Sequence, residues 1–180
     1  MTTYLKYLLR RQGKYHLHSP FVYDFYVNVL DRLPMFGWRD VLYKRIAGYV
    51  KLSNVLIETD FTLKSRLDFA FNVCDERQTQ VCLDFDGMML KDDIQNTFDF
   101  IYINGRMGKS RVKYVTRRVL RRCNERTVIM FDGIYCSKTN IKMWNRLINN
   151  SRITLSMDCY RFGMAFMIKR SEPQHFVLKT

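Results

Sequence analysis

The sequence predicts an α/β protein built on a doubly wound, mostly parallel sheet that ends in an antiparallel hairpin. The first observation is a strand, helix, strand unit, in which apolar runs at residues 100–103 and 128–131 flank an amphipathic helix at residues 110–124. The near-continuous apolar character of both runs indicates parallel strands that are covered on both faces. The second observation is that helices and strands alternate on either side of this unit.

The first 50 residues predict three helices, at residues 4–12, 20–29 and 38–50. Ser19 is placed to cap the second helix, and Pro20 suits its first position. This segment has too few strands to form a separate domain. We therefore expect one domain over residues 1–180, with a helical cap at residues 1–50 and the sheet core at residues 51–180.

The remaining elements follow the alternation that this fold class requires. Strands are expected at residues 54–58, 81–85, 100–103, 128–131, 152–158, 164–169 and 175–178, and helices at residues 63–74, 110–124 and 138–148. Ligands of such sheets bind beyond the carboxyl ends of the strands. Asn104 and Asp132, at the ends of two neighbouring strands, therefore mark where a site should lie.

Composition limits the classes of function. Lys and Arg number 30 against 17 Asp and Glu, which gives a net charge of +13 and an attraction to polyanions at low salt whatever the function. No apolar run approaches the length of a membrane span, and the N-terminus lacks the features of a secretory signal, so we expect a cytoplasmic protein. The five cysteines are scattered and never spaced as CxxC, which supports neither a disulfide framework nor a zinc site.

Several segments resemble the class I S-adenosylmethionine-dependent methyltransferases. They are HSPFVYD at residues 18–24, the strand at residues 98–105, the strand and turn at residues 128–138, and the tail at residues 151–177. More narrowly, the chain is similar to small bacterial methyltransferase-like proteins that open with an HSPF-type helix. The resemblance implies a Rossmann-like fold with S-adenosylmethionine as cofactor. It also implies a shortened sheet edge, because residues 87–98 are too few for the helix and strand that relatives have there.

The resemblance places the cofactor at Glu58, Thr59, Asp60 and Asp86. In the family an acidic residue ends the first strand and a glycine-rich loop follows, because glycine lets the backbone approach the cofactor closely. Residues 55–63 contain no glycine, and Thr59 stands where the family has one. Asp86 matches the acid that binds the ribose hydroxyls. The sequence therefore predicts that cofactor binding is lost or impaired.

The resemblance also assigns the candidate catalytic residues Asn104, Asp132 and Tyr135. Asn104 replaces an aspartate of the family, Gly133 replaces the second acid of a pair, and Tyr135 replaces a histidine, whereas Asp132 is kept. A single carboxylate is a poor metal site, so no metal is expected. Asp132 is a candidate general base, and ordinary turn chemistry at a strand end is the alternative.

The helix at residues 110–124 has a strongly basic face. Lys113, Arg117 and Arg121 lie in one i, i+4 row, and Arg118 and Arg122 lie in the neighbouring row. Like charges at this spacing cost a few tenths of a kcal/mol each. A nucleic acid, an acidic protein or another subunit would relieve that repulsion, and a solvated face is the alternative.

Three hypotheses follow. The first, which we favour, is a degenerate methyltransferase-fold protein that acts through binding or as a subunit of an assembly. The second is an active methyltransferase that positions an unknown acceptor in line with the sulfonium. The third is a basic nucleic-acid-binding module on the same fold.

Overall fold

The computed structural model describes residues 3–50, 54–58, 80–84, 97–169 and 172–180, and every structural statement below refers to these ranges. They contain a seven-stranded sheet in the order β2-β1-β3-β4-β6-β5-β7. The strands are β1 Asn54–Glu58, β2 Gln80–Asp84, β3 Phe98–Asn104, β4 Cys123–Asp132, β5 Leu155–Asp158, β6 Phe162–Phe166 and β7 Gln174–Val177. Only β6 runs antiparallel to its neighbours within this sheet.

Five α-helices are described. They are α1 Thr3–Arg10, α2 Pro20–Phe25, α3 Trp38–Tyr49, α4 Lys109–Arg118 and α5 Lys138–Ile148. A π-helix, Tyr26–Leu30, continues α2, and a 3-10 helix, Val119–Arg122, continues α4. Ser19 caps α2 as predicted, because its hydroxyl accepts a hydrogen bond from the Val22 amide at 3.5 Å. None of the described helices is long and apolar enough to cross a membrane.

Side chains at alternate positions of the strands pack into two separate apolar cores. Phe100 and Tyr102 of β3 belong to the core that also contains residues of α2, the π-helix and α3. Ile101 and Ile103 belong to the core that contains residues of α4 and α5. The sheet is therefore covered on both faces, which explains why its central strands are apolar throughout rather than alternating.

The structure confirms the fold class, and the ends of several elements differ from prediction. The α-helical part of the predicted helix 110–124 ends at Arg118, and β4 begins at Cys123. Thr127 extends that strand, because its hydroxyl donates to the Phe98 carbonyl at 2.6 Å and accepts from the Asn124 amide at 2.7 Å.

The closing hairpin is shorter than predicted. Strand β5 begins at Leu155 rather than at Arg152, whose guanidinium donates to the Cys123 carbonyl at 2.9 Å. The predicted helix at residues 63–74 lies outside the described ranges, and so does all but residues 97 and 98 of the predicted short edge at residues 87–98. The division into a cap at residues 1–50 and a core at residues 51–180 stays a prediction.

A substitution at Gly163 of β6 tests how tightly the hairpin packs against α5. A methyl group at this position would lie 2.5 Å from the Trp144 ring and 2.7 Å from Ile134 Cδ1. We expect Gly163→Ala to lower the free energy of unfolding by about 1–3 kcal/mol in urea denaturation. The control is Gly48→Ala in α3, where nothing lies within 4 Å and the change should stabilise by about 0.5–1 kcal/mol. Equal effects of the two substitutions would contradict this packing.

Candidate functional site

The loops after β3 and β4 are held together at the carboxyl end of the sheet. The Gly105 amide donates to the Asp132 carbonyl at 2.9 Å, and Asn140 Nδ2 of α5 donates to the carbonyls of Gly105 at 2.7 Å and Gly133 at 2.8 Å. A side chain at Gly105 would lie 2.2 Å from the Asp132 carbonyl oxygen, and Gly133 has a φ of +77°. Both turns therefore require glycine.

Asp132 is buried at the end of β4, where both of its carboxylate oxygens accept hydrogen bonds. Arg39 Nε donates to Oδ2 at 2.9 Å, and Arg39 Nη2 donates to Oδ1 at 3.3 Å. The Tyr102 hydroxyl donates to Oδ2 at 2.8 Å. Burial raises the pKa of Tyr102 well above its usual value, which keeps this phenol protonated as a donor. Asp132 is thus paired with the Arg39 cation and the Tyr102 phenol, and its role as a general base stays a prediction.

Asn104 and Tyr135 have different surroundings from each other. Asn104 is next to Asp132 in the sheet register, and its Oδ1 accepts from the Arg106 amide at 3.0 Å. This hydrogen bond forms a tight turn of the Asx type. The Tyr135 hydroxyl donates to Asp158 Oδ2, and burial, with the hydrogen bond and charge of Asp158, raises the pKa of Tyr135.

A pocket of about 300 Å³, which we call the strand-end pocket, opens beside these residues. It is lined by Trp38, Arg39, Arg106, Gly133, Tyr135, Cys136, Tyr160 and Arg161. Tyr135 and Tyr160 stack with their ring centroids 5.0 Å apart, and Trp38 stacks on Phe162 at 5.2 Å. Three of the eight lining residues are therefore aromatic.

The lining of the strand-end pocket is positively charged. Three guanidiniums line it, and no lining residue is acidic. Arg39 is paired with Asp132, whereas Arg106 and Arg161 are exposed and form no ion pair with any residue that the structure describes. The pocket therefore favours an anion, because guanidinium groups bind carboxylates and phosphates with charge-assisted hydrogen bonds.

The donor set does not fit a divalent cation. The oxygens of Asp132 and Oδ1 of Asn104 already accept hydrogen bonds, and the Arg39 cation lies against Asp132. The described ranges contain no group of three His, Cys, Asp or Glu residues that could hold a metal. Hard cations prefer several anionic oxygens.

Most of the positions that the sequence assigns to the cofactor lie outside the residues that the structure describes. The backbone of Glu58 pairs with Asp84 of β2 and Ile103 of β3. The side chain of Glu58 and all of Thr59, Asp60 and Asp86 lie outside the described residues. Their assignment to a cofactor stays a prediction.

The basic residues of α4 and its 3-10 extension do not share one exposed face. Lys113, Arg117 and Arg121 are exposed, whereas Arg118 is half-buried with its guanidinium 4.3 Å from the centre of the Tyr114 ring. Arg122 is only 4% exposed. The predicted row of Lys113, Arg117 and Arg121 is therefore exposed, whereas the neighbouring row of Arg118 and Arg122 is not.

Sequence reasoning missed several residues of the site. Arg39 reaches Asp132 from a helix 93 positions earlier in the chain, and no local pattern marks it. Arg161 comes from the turn of the closing hairpin. The spacing of Lys138, Lys142 and Arg146 at i, i+4, i+8 on α5 was a detectable signal of a second basic face.

Comparison with known proteins shows the fold. No family model and no curated protein sequence matches the chain. A candidate caffeoyl-CoA O-methyltransferase from Staphylococcus aureus has a TM-score of 0.50 and 13% identity, over 91% of this chain and 97% of that one. Cofactor-bound Rv0187 from MTB has a TM-score of 0.50 and 12% identity, over 77% of this chain and 85% of that one.

A third structure is similar over a smaller part of its length. Haemonchus contortus phosphoethanolamine N-methyltransferase 2, in complex with S-adenosyl-L-methionine, has a TM-score of 0.50 and 10% identity, over 71% of this chain and 36% of that one. The chain therefore has the fold of the class I S-adenosylmethionine-dependent methyltransferases. Its narrower likeness to the HSPF-type bacterial proteins stays a prediction.

The ion pair at Asp132 can be tested with a double-mutant cycle. We expect Arg39→Met to lower the free energy of unfolding by about 3 kcal/mol, because it leaves a buried carboxylate without its cation. This is the lower end of the usual range, since the Arg39 side chain is 29% exposed. Adding Asp132→Asn should recover part of the loss, because it removes the uncompensated charge while leaving an oxygen for Tyr102. Strictly additive losses in urea denaturation would refute the coupling.

Proposed function

We propose that this protein uses the methyltransferase fold to bind an anionic small molecule in the strand-end pocket, and that its binding of S-adenosylmethionine is lost or impaired. The observation that carries the proposal is the pairing of the buried Asp132, which already accepts two hydrogen bonds from Arg39 and one from Tyr102. A general base needs a free lone pair directed at the proton that it removes. Three of the about four acceptor sites of the Asp132 carboxylate are therefore occupied, and its side chain is only 1% exposed, so it is poorly placed to take a proton from a ligand in the pocket.

The charge of the pocket supports the same conclusion. S-adenosylmethionine is a sulfonium cation at the atom that donates the methyl group. The pocket beside the ends of β3 and β4 is lined by Arg39, Arg106 and Arg161, whereas the nearby carboxylates of Asp132 and Asp158 are buried behind the lining and already hydrogen-bonded. Like charges repel most strongly where water is partly excluded. This environment disfavours a cationic donor and favours an anion.

The missing glycines are the second line of support. Residues 55–63 contain the strand and the loop at which the resemblance places the cofactor, but they contain no glycine. Side chains such as Thr59 would occupy the space that a close backbone approach leaves for a cofactor. We therefore propose a cytoplasmic protein whose binding of the cofactor is lost or impaired. An active methyltransferase is the main alternative.

The shape and chemistry of the pocket define the ligand class. A volume of about 300 Å³ is at the small end of sites for small molecules. Arg106 and Arg161 can each hold a carboxylate or phosphate, while Tyr160 and Tyr135 offer aromatic surface to a ring. We therefore propose a small carboxylate or phosphate that carries an apolar or aromatic part.

Calorimetric titration of the purified, ligand-stripped protein tests the loss of cofactor binding. We expect no measurable heat with S-adenosylmethionine or S-adenosylhomocysteine at millimolar concentration. Haemonchus contortus phosphoethanolamine N-methyltransferase 2, whose structure is a complex with S-adenosyl-L-methionine, is titrated in parallel and shows whether the method detects binding. Micromolar affinity, about −8 kcal/mol, would contradict the proposal and favour an active methyltransferase.

Titration with phenyl phosphate tests the anion site, with uncharged benzyl alcohol as the control ligand. We expect phenyl phosphate to bind and Arg161→Gln to weaken it about 10-fold or more, because a charge-assisted hydrogen bond is lost. The matched control is Arg126→Gln, which removes an exposed arginine of β4 that does not line the pocket. Equal weakening by the two substitutions, or equal affinity for benzyl alcohol, would show that the pocket is not an anion site.

A further inference from the structure

A second basic surface lies between α4 and α5, and we call it the α4–α5 groove. It has a volume of about 330 Å³ and is lined by Lys113, Arg117, Lys138, Thr139, Lys142, Met143 and Arg146. Five of these seven residues are cationic and none is acidic. The sequence contains no Asp or Glu at residues 105–124 or 133–157, so neither helix supplies a counter-charge.

The five cations of the α4–α5 groove have no structural role in the part of the chain that the structure describes. All five side chains are exposed. None forms a hydrogen bond or an ion pair with a described residue, in contrast to Arg39 and Arg152, which do. Uncompensated like charges at i, i+4 spacing lower the stability of a helix. A ligand that neutralises them is therefore the simplest reason for their arrangement.

The charges form rows that suit a linear polyanion. Lys138, Lys142 and Arg146 follow one another at four-residue intervals, each about 6 Å further along the axis of α5. Lys113 and Arg117 form a second pair at the same interval on α4. The row on α5 therefore extends for about 12 Å and the pair on α4 for about 6 Å, which suits successive phosphates of a chain better than one compact anion.

We propose that the α4–α5 groove binds the phosphate backbone of a nucleic acid duplex, independently of its sequence. The groove has no aromatic lining residue on which single-stranded bases could stack. It also has no exposed apolar residue of the kind that holds protein interfaces together, since Met143 is only 2% exposed. Charge without stacking or apolar contacts is typical of recognition of the duplex backbone.

This inference does not depend on the strand-end pocket. The two sites involve different residues, and the ligand of the pocket is a small anion with an apolar part. Whether the protein binds S-adenosylmethionine does not change the α4–α5 groove. The proposal for the groove and the proposal for the strand-end pocket can therefore be tested separately.

The test is fluorescence anisotropy of a labelled 20-base-pair DNA duplex between 50 and 200 mM salt. If all five cations neutralise phosphates, the logarithm of affinity should fall with the logarithm of salt with a slope of about −4.5, a loss of about 500-fold over this range. The double variant Arg117→Ala, Lys142→Ala should bind more weakly at 50 mM salt. Its loss over the same range should be only about 40-fold, because two contacts are removed.

The matched control is the double variant Lys44→Ala, Arg126→Ala, which removes the same net charge. Lys44 lies on α3, across the sheet from α4 and α5, and Arg126 lies near the start of β4. We expect this variant to keep the wild-type slope and an affinity within about twofold. A control variant that weakens binding as much as the groove variant, or a wild type that does not bind at 50 mM salt, would overturn the proposal.

Two further ligands separate the alternatives. Poly-L-glutamate of matched charge represents an acidic protein, and phosphatidylserine vesicles represent a membrane surface. Binding of either as tightly as the duplex, with the same loss in the Arg117→Ala, Lys142→Ala variant, would overturn the assignment to nucleic acid. Preference for the DNA duplex or for an RNA duplex of the same length over both supports it and identifies which duplex is bound.

Discussion

The ion pair between Arg39 and Asp132 connects the two layers on which the site depends. It joins α3 to the end of β4, and Tyr102 of β3 completes it from within the sheet. A carboxylate as buried as Asp132 must be paired, because an isolated charge in the protein interior is very unfavourable. The same contact places Trp38 and Arg39 in the wall of the strand-end pocket. This interaction therefore adds to the apolar packing of α3 on the sheet, pairs the candidate base with a cation and helps to form the pocket.

Helix α5 links the two basic sites. Asn140 binds the turns after β3 and β4 through its side-chain amide, while Lys138 and Thr139, from the same helical turn, line the α4–α5 groove. The sites differ in what surrounds the charge. The strand-end pocket has aromatic walls that suit a small molecule, whereas the groove has rows of cations that suit a polymer. Charge by itself does not distinguish these ligands, but the neighbouring side chains do.

The fold and the activity have to be argued separately for this chain. Solved structures with only 12–13% sequence identity share its fold at a TM-score of 0.50. Such similarity follows from packing helices on both faces of a parallel sheet, and it does not depend on the residues at the strand ends. The sequence resemblance predicts that those residues depart from the family pattern at Asn104, Gly133 and Tyr135. The chemistry of the site is therefore decided by a few side chains on a common scaffold.

The sequence by itself determined the fold class, the bounds of β1 and the cap of α2 at Ser19. These features depend on local signals, namely apolar runs and a hydroxyl before a helix, that residues close in sequence supply. It also marked Asn104 and Asp132 as neighbours, because parallel strands end at one edge. Only the tertiary structure decided that Arg39 neutralises Asp132, and that α5 adds its cations to those of α4. These contacts join residues far apart in the chain, and they form only when helices pack on the sheet.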